Sequence, residues 1–529
     1  MLTYLVIVPV LIGVFLYLFS SAKSAKLIAL ATQIVLVGLS YHLFTITKIE
    51  EVVTLVGGYH GYMGVVLKAD TLTAVFILLT TFMFLVSSIY SFNQKNSRLF
   101  WLLIFLWQSA LVGIFLTRDV FNIFVLIEVV TLVIATLIMF NRDNRAMYDG
   151  IIYLMVNIVA IKFFLLGAGY LYMLTGVLDF ELAGAILREN HPASAQVLPY
   201  ALIMTTIALK CALLPLFSWL PKAHGTPGAP PAVSALLSGV HIKSGVYFFI
   251  RFKDLFYEAG IASSDFYLIL GIITCVGGFI LAMSQSDIKL ILAYHTVSQV
   301  GLIITGLNMP DYVSQTGALY HVFNHAFFKG CLFLGAGLLA KAYNTRDVYS
   351  IRGVLKTYPI LGVSTIMAIF GISGAPLFNG MISKYFIAYG AYGLLNWLLI
   401  FMSLGTIISF VKYSGMLFGN NAHRVVKIDL NMQIACLILG FMCLVGGVFG
   451  SQFVYFLFDV TVSIGLSGYL QKVGIFFASL VAGYLIYKYY VSTASIFKKI
   501  KAIDLSFRKI CVSIGMVLVI TLVVVYLRI

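Results

Sequence analysis

Glu128 sits inside Phe121-Asn122-Ile123-Phe124-Val125-Leu126-Ile127-Glu128-Val129-Val130, a carboxylate in the middle of an otherwise apolar run. Seven lysines interrupt comparable runs: Lys162, Lys210, Lys243, Lys329, Lys384, Lys412 and Lys472. In a bilayer each such group costs at least about 2.5–3.5 kcal/mol, so it is kept where it moves charge or is neutralised by a partner. A carboxylate and an ammonium restore each other's charge when close, and a proton is captured or released when they part. A purely structural ion pair is the alternative for Glu128. Lys412 and Lys472 lie near the ends of their runs, where a long side chain reaches the interface. His321, Asn324, His325 and Lys329 add a second pattern: the i, i+4, i+8 spacing puts His321, His325 and Lys329 on one helix face. Histidine titrates near neutral pH and passes protons either way, so the three together read as a relay. Taken singly, either histidine reads as a core residue bonded to backbone. As an i, i+4 metal pair they lack a nearby carboxylate or thiolate to complete a site. His295 is a further titratable group in an apolar run, whereas His241, two residues before Lys243, points away from it on a helix.

The elements that must position these groups are membrane helices. Hydrophobic residues make up 61% of the 529-residue chain and charged residues 10%, against roughly 25% charged in an average soluble domain. So few charges cannot cover a water-facing surface, which argues against a soluble enzyme, a disordered chain or a nucleic-acid binder despite a net charge of +15. The six cysteines are isolated and form no CxxC pair, so they read as core residues. Neither a P-loop nor a GxGxxG turn is present. Windows of about 20 apolar residues predict an all-α polytopic fold of fourteen to sixteen spans. The seventh, near 196–218, contains Pro215, and the twelfth, near 358–391, contains Pro376; both are predicted to be broken. Inside a bilayer such a break is tolerated only where freed backbone groups are buried in protein or line a wet cavity. Most basic loop residues, among them Lys95, Arg142, Lys222, Arg424 and Lys499, follow odd-numbered spans, which predicts those loops inside and both termini outside.

The lysines recur at similar offsets. Lys162 and Lys329, Lys210 and Lys384, and Lys243 and Lys412 are separated by 167, 174 and 169 residues, five predicted spans in each case. Carried on from Glu128, the first offset reaches His295. Repeats of an odd number of spans insert with opposite topology, as in many transporters. The predicted organisation is N-terminal helices over 1–98, a first five-helix repeat over 99–255, a second, inverted repeat over 260–418, and peripheral helices over 419–529.

At this point the sequence resembles a known family. Trp219-Leu220-Pro221-Lys222-Ala223-His224 followed by Ala229-Pro230-Pro231-Ala232-Val233-Ser234-Ala235-Leu236-Leu237-Ser238-Gly239 is similar to the signature of antiporter-like subunits. These belong to respiratory complex I, Mrp-type Na+/H+ antiporters and energy-converting membrane hydrogenases. Asp287-Ile288-Lys289, Ala293 through Gly301, His325-Ala326-Phe327-Phe328-Lys329 and Ser373 through Gly380 with Ser383-Lys384 extend the resemblance over roughly 60–420. It implies a fourteen-helix core with two inverted five-helix repeats. It also implies ion translocation through Glu128, Lys210, Lys243, His325, Lys329 and Lys384, with Lys162, His295, His321 and Lys412 as accessory candidates. Lys162 matches no recognised family position. Lys222 stands where most complex I members carry an acid, Gly225-Thr226-Pro227-Gly228 is about two residues longer than usual, and Leu171 through Asp179 resembles the Mrp and hydrogenase branches.

The expectation is therefore a proton or sodium/proton translocating membrane subunit of a multi-subunit respiratory-type complex. Its partners would be other membrane subunits of the same complex, in a prokaryotic plasma membrane. The chain itself would hold no cofactor, metal or catalytic centre; iron–sulfur, flavin or nickel would belong to partners. The alternatives are a subunit of an Mrp-type antiporter lacking redox centres, a stand-alone secondary transporter, and an assembly scaffold. The full row of buried charges argues against the last of these.

Overall fold

The computed structural model describes residues 1–19, 21–58, 64–226, 228–421, 426–501 and 505–529, without the side chains of Ala22, Lys23 and Lys498. Pro227 and Arg424 lie outside the described residues. The chain begins with α1 (Leu2–Phe19) and α2 (Ala22–Thr47), then a hairpin of β1 (Val52–Leu55) and β2 (Val66–Ala69). Next come α3 (Thr71–Ser91), α4 (Arg98–Leu116), α5 (Val120–Ile138), α6 (Asn144–Thr175), α7 (Phe180–Asn190), α8 (Ala193–Lys210) and α9 (Trp219–Gly225). One continuous helix follows, made of α10 (Pro231–Leu236), a π-helical segment Leu237–His241, and α11 (Ile242–Glu258). After it come α12 (Ser264–Ser284), α13 (Ile288–Leu307), α14 (Tyr312–Tyr343), α15 (Val354–Thr357), α16 (Pro359–Ser373), α17 (Asn379–Ile387) and α18 (Gly393–Ser414). The chain ends with α19 (Leu430–Val448), α20 (Gly450–Phe458), α21 (Leu466–Ile486), α22 (Ile496–Lys501) and α23 (Phe507–Tyr526).

Among the described residues, 14 helices are long and apolar enough to cross a membrane. They are the predicted spans less the seventh and twelfth, which the structure breaks into α8 with α9 and α16 with α17. The predicted fourteenth span is divided as well, at Phe449 between α19 and α20. The hairpin and the short helix α7 were not foreseen, because neither carries an apolar run of membrane length.

Aspartates start many of these helices. Asp70, Asp119, Asp143, Asp179, Asp287 and Asp311 each accept a backbone N–H in the first turn of the helix that follows. Such a cap is worth about 1 kcal/mol. Six of the 19 acidic residues are thereby spent on helix ends, whereas Glu128 lies in the middle of α5.

The chain divides into two compact units. The first comprises Met1–Ala229, Val240–Phe266 and Leu505–Ile529. Within it α1 packs on α4, α2 on α3, α5 on α6, and α8 on both α6 and α11. The C-terminal α23 lies against α8 and α6 of the same unit. The second comprises Pro230–Gly239 and Tyr267–Asp504. Its centre is α14, packed on α10, α13, α16, α17 and α19, while α21 packs on α18.

The two units repeat one local design. In the first, Asp119 bridges Asp179, with Val120 N–H on Leu178 C=O and Phe180 N–H on Arg118 C=O. In the second, Asp287 bridges Asp347, with Ile288 N–H on Arg346 C=O and Val348 N–H on Ser286 C=O. Every one of these residues is displaced by 168 from its counterpart. Helices α6 and α14 each have 32 residues, are capped by Asp143 and Asp311, and end in left-handed Gly176 and Asn344, again 168 apart. The lysine offset of 167 is therefore one residue out of register. Lys329 corresponds to Ile161 and Glu128 to Thr296, rather than to Lys162 and His295. One residue turns a helix by about 100°, and the two lysines differ accordingly: Lys329 is fully buried and Lys162 is exposed.

Candidate ion-translocation site

In the first unit, α5 and α6 each supply two polar groups. Glu128 on α5 pairs with Lys162 on α6 at 2.5 Å. The pair is partly exposed, and the Lys162 ammonium also lies 5.1 Å from the centre of the Phe124 ring. One turn along α5, Thr131 Oγ1 accepts from Lys210 Nζ at 3.3 Å, and Asn157 Oδ1 on α6 accepts from the same ammonium at 2.8 Å. Asn157 donates its own amide to Tyr153 C=O, which fixes its oxygen toward Lys210. Lys210 is thus held between α5 and α6 by two neutral acceptors, while Glu128 is engaged by Lys162. Lys162, whose role the sequence left open, is the partner of Glu128.

Lys210 is the last residue of α8 and is buried where the helix breaks. Ala212 just beyond it has φ 52°, a strained region for a residue with a Cβ, and Leu214–Pro215 is a cis peptide. Leu209 C=O accepts both from Ala212 N–H at 2.8 Å and from the Trp219 indole at 2.9 Å, which ties α9 to the break. Gly245 of α11 packs on the same point: a Cβ there would lie 2.9 Å from the Lys210 carbonyl carbon.

A small cavity beside Lys210 is also lined by Ile127, His241, Ser244 and Phe248. His241, discounted on spacing, is therefore a neighbour of Lys210. It ends the π-helical segment, whose extra residue per turn rotates side chains out of the α-helical pattern. The spacing argument concerned Lys243 alone, and proximity to Lys210 on another helix leaves no local mark in the sequence. Lys243 is buried in the first turn of α11.

In the second unit, α14 carries His321, Asn324, His325 and Lys329, all buried, in the expected arrangement along one helix. His321 bonds Ser383 Oγ at 2.8 Å through Nδ1 and Gln299 Oε1 at 3.0 Å through Nε2. Lys329 Nζ donates to Leu292 C=O at 2.6 Å. In the 168-residue register, His325 stands where Asn157 stands in the first unit. His295 on α13 is buried with its ring 4.8 Å from that of Phe410.

The second break runs through Gly374 (φ 80°) and Leu377 (φ 69°). Lys384 lies after this break, on α17, whereas Lys210 precedes its own. Its ammonium nevertheless reaches back to the last carbonyls of α16, Ile372 at 2.9 Å and Ser373 at 3.4 Å. Cations are favoured at helix C-termini, so the break itself is what holds the charge. Pro376 is part of this segment. Lys412, in the last turn of α18, is buried, donating to Ala282, Met283 and Gln285 carbonyls at 3.3, 2.7 and 2.6 Å at the end of α12.

A charge network lies at the hairpin end of the first unit. Arg118 is 1% exposed and lies between Asp70 at 3.5 Å and Glu181 at 3.4 Å. Asp70 also meets Arg251 at 2.5 Å, and Lys68 joins Glu181 to Glu51. Burial alone would raise the Asp70 carboxyl, but Arg251, the Thr73 N–H and Arg118 together outweigh it and hold the group well below the usual carboxylate range. At Asp119 and Asp179 burial prevails and both carboxyls are raised. Among the described residues, no cluster of three or more His, Cys, Asp or Glu is placed to hold a metal ion.

The family profile described as "NADH:quinone oxidoreductase/Mrp antiporter, TM" matches residues 117–409. The chain is 27% identical over 452 residues to a Na(+)/H(+) antiporter subunit of Alkalihalophilus pseudofirmus, covering 83% of this chain and 91% of that one. It is 29% identical over 428 residues to an NADH-quinone oxidoreductase subunit of Desulforudis audaxviator, covering 75% and 85%. In fold it is similar to a chain of the Mrp complex from Dietzia sp., with a TM-score of 0.80, 21% identity and coverage of 95% and 99%. The multi-pass membrane architecture and the antiporter-like fold thus agree with the expectations from sequence.

Proposed function

Because the chain belongs to the NADH:quinone oxidoreductase/Mrp antiporter membrane family, we propose that it is the cation/proton-translocating membrane subunit of a multi-subunit complex and that protons move through its buried lysines. The observation that carries this reading is Lys210. It is a buried ammonium at a helix break, held by the neutral acceptors Asn157 and Thr131. The nearby carboxylate, Glu128, is engaged by Lys162. An ammonium held by neutral acceptors gives up its proton more readily than one in an ion pair, and a carboxylate that changes partners alters that readiness.

On this reading Glu128, Lys210 and Lys243 serve the first unit, with Lys162 as the resting partner of Glu128. His325, Lys329 and Lys384 serve the second, with His295, His321 and Lys412 as accessory groups. The 168-residue recurrence supports two repeats, over 99–255 and 260–418, and five spans in each would make them inverted. The excess of basic residues in odd-numbered loops supports an inward placement of those loops and both termini outside. Both named relatives belong to multi-chain assemblies by name, which supports other membrane chains as partners over a stand-alone transporter.

One relative is named for sodium/proton antiport and the other for quinone oxidoreduction, so two drivers are in view. Gentle purification of the native complex, followed by absorbance and metal analysis, separates them. Iron–sulfur, flavin or nickel in partner subunits would make this the pump module of a redox enzyme. Their absence, with cation-dependent proton movement in vesicles, would make it an Mrp-type antiporter subunit. Normal proton movement in Lys210→Ala would refute translocation by this chain under either driver.

A further inference from the structure

Helix α21 lies beyond the residues that match the family profile, yet it is built onto the second break. Leu377 N–H donates to Tyr469 Oη at 3.1 Å, and Phe476 packs with Ala375 and Ile407 against Phe378. Between α21, α17 and α18 is a cavity of about 70 Å³. Lys384 lines it from one side and Lys472, on α21, from another, with Ser373, Asn396, Ser403 and Ser479 also in the lining. No carboxylate among the described residues lines it. Lys472 is the seventh residue of α21, roughly 9 Å along the helix from its start. It is half-buried, as a group between a buried lysine and the helix end should be.

We propose that Lys472 is the outermost proton-carrying group of this chain, receiving the proton that leaves Lys384 through the cavity. The inference rests on the ion-path reading and deepens it at its exit. In the step, the Lys384 ammonium gives one proton to cavity water, and that water gives one to the neutral Lys472 amine. Lys384 is left as a neutral amine and Lys472 as an ammonium, which then loses its proton to bulk water. Two ammonium groups in one cavity without a carboxylate repel each other. Arrival of charge at one therefore drives release from the other. The same repulsion makes the cavity unfavourable for a sodium ion, so the species leaving here is a proton. The competing occupant is an anionic lipid phosphate, for which two lysines in an apolar setting would form a seat.

The two are separated by the chemistry of the side chain at 472. Lys472→Cys is made with Cys511→Ser, since the other five cysteines are buried. The native complex carrying it is checked for assembly, reconstituted into vesicles and assayed for proton movement. The expected loss is on the order of a hundredfold, the lower end of what a positioned proton-transfer group contributes. Alkylation of the cysteine thiolate by 2-bromoethylamine, with loss of bromide, gives S-aminoethylcysteine, a primary amine of lysine length, and should restore transport. The trimethylammonium reagent supplies charge without an exchangeable proton and should not. Restoration by both reagents would mean that charge alone matters, as for a lipid seat, and would overturn the proposal. So would restoration by neither, or undiminished transport in Lys472→Cys. Lys384→Met in parallel tests the underlying reading: normal transport there sinks the ion path itself. Its loss beside an unaffected Lys472→Cys sinks the exit group alone.

Discussion

Asn157 offers the sharpest test of how Lys210 holds its proton. Its oxygen accepts from the ammonium at 2.8 Å, while Thr131 accepts at a long 3.3 Å, so Asn157 is the principal stabiliser of the charged form. Leucine has nearly the same shape and no acceptor. A hydrogen bond to a charged group contributes about 1.5–3 kcal/mol. At about 1.36 kcal/mol per pH unit, its loss moves the alkaline side of the transport profile to lower pH by roughly one to two units. The sign follows from which form is favoured: removing an acceptor penalises the ammonium alone, so the amine takes over at a lower pH. Asn157→Asp places a carboxylate at the same atom and should move that limb the other way. The assay is dye-reported acidification of vesicles containing the assembled complex, followed from pH 6 to 10. An unchanged alkaline limb in Asn157→Leu, with assembly intact, would refute the argument.

Three further outcomes follow from the geometry. Lys162→Met should change the pH profile of transport while the complex assembles, because Glu128 loses the partner that occupies it; an unaltered profile would mean that the pair is only structural. Gly245→Ala should destabilise the first unit by about 1–3 kcal/mol, the usual cost of overpacking, because its Cβ would press on the Lys210 backbone; detergent melting of the purified complex reads this, and no shift would contradict the close approach of α11. Asp70→Asn should lower stability at neutral pH, since Arg251 and Arg118 lose their carboxylate. As the Asp70 carboxyl is depressed in the folded chain, that deficit is full above its ordinary value near 4 and closes as pH falls through the lowered one. A deficit that grew with acid would contradict it.

Much of this architecture was legible because apolar runs, aspartate caps and prolines are local signals. The broken seventh and twelfth spans were visible in Pro215 and Pro376, and the buried lysines stood out against their surroundings. What escaped was rotational. An offset of 167 looks like 168 in a sequence, but the missing residue turns Lys162 outward and Lys329 inward. His241 escaped for a different reason: the i, i+2 argument concerned Lys243 alone, whereas the ring lines a cavity with Lys210, which comes from another helix. Arg118, which its place at a span end suggests is interfacial, is almost fully buried, because its partners Asp70 and Glu181 come from distant parts of the chain. Long-range partners of this kind leave no mark on local periodicity.

The central claim is that protons move through this chain by way of Lys210 and the carboxylate that governs it. Its most direct test is proton movement by the reconstituted native complex carrying Lys210→Ala or Glu128→Gln, with assembly verified on the same preparation. The account predicts that transport is lost in both while the complex remains whole. Transport at the normal rate in either variant would contradict it.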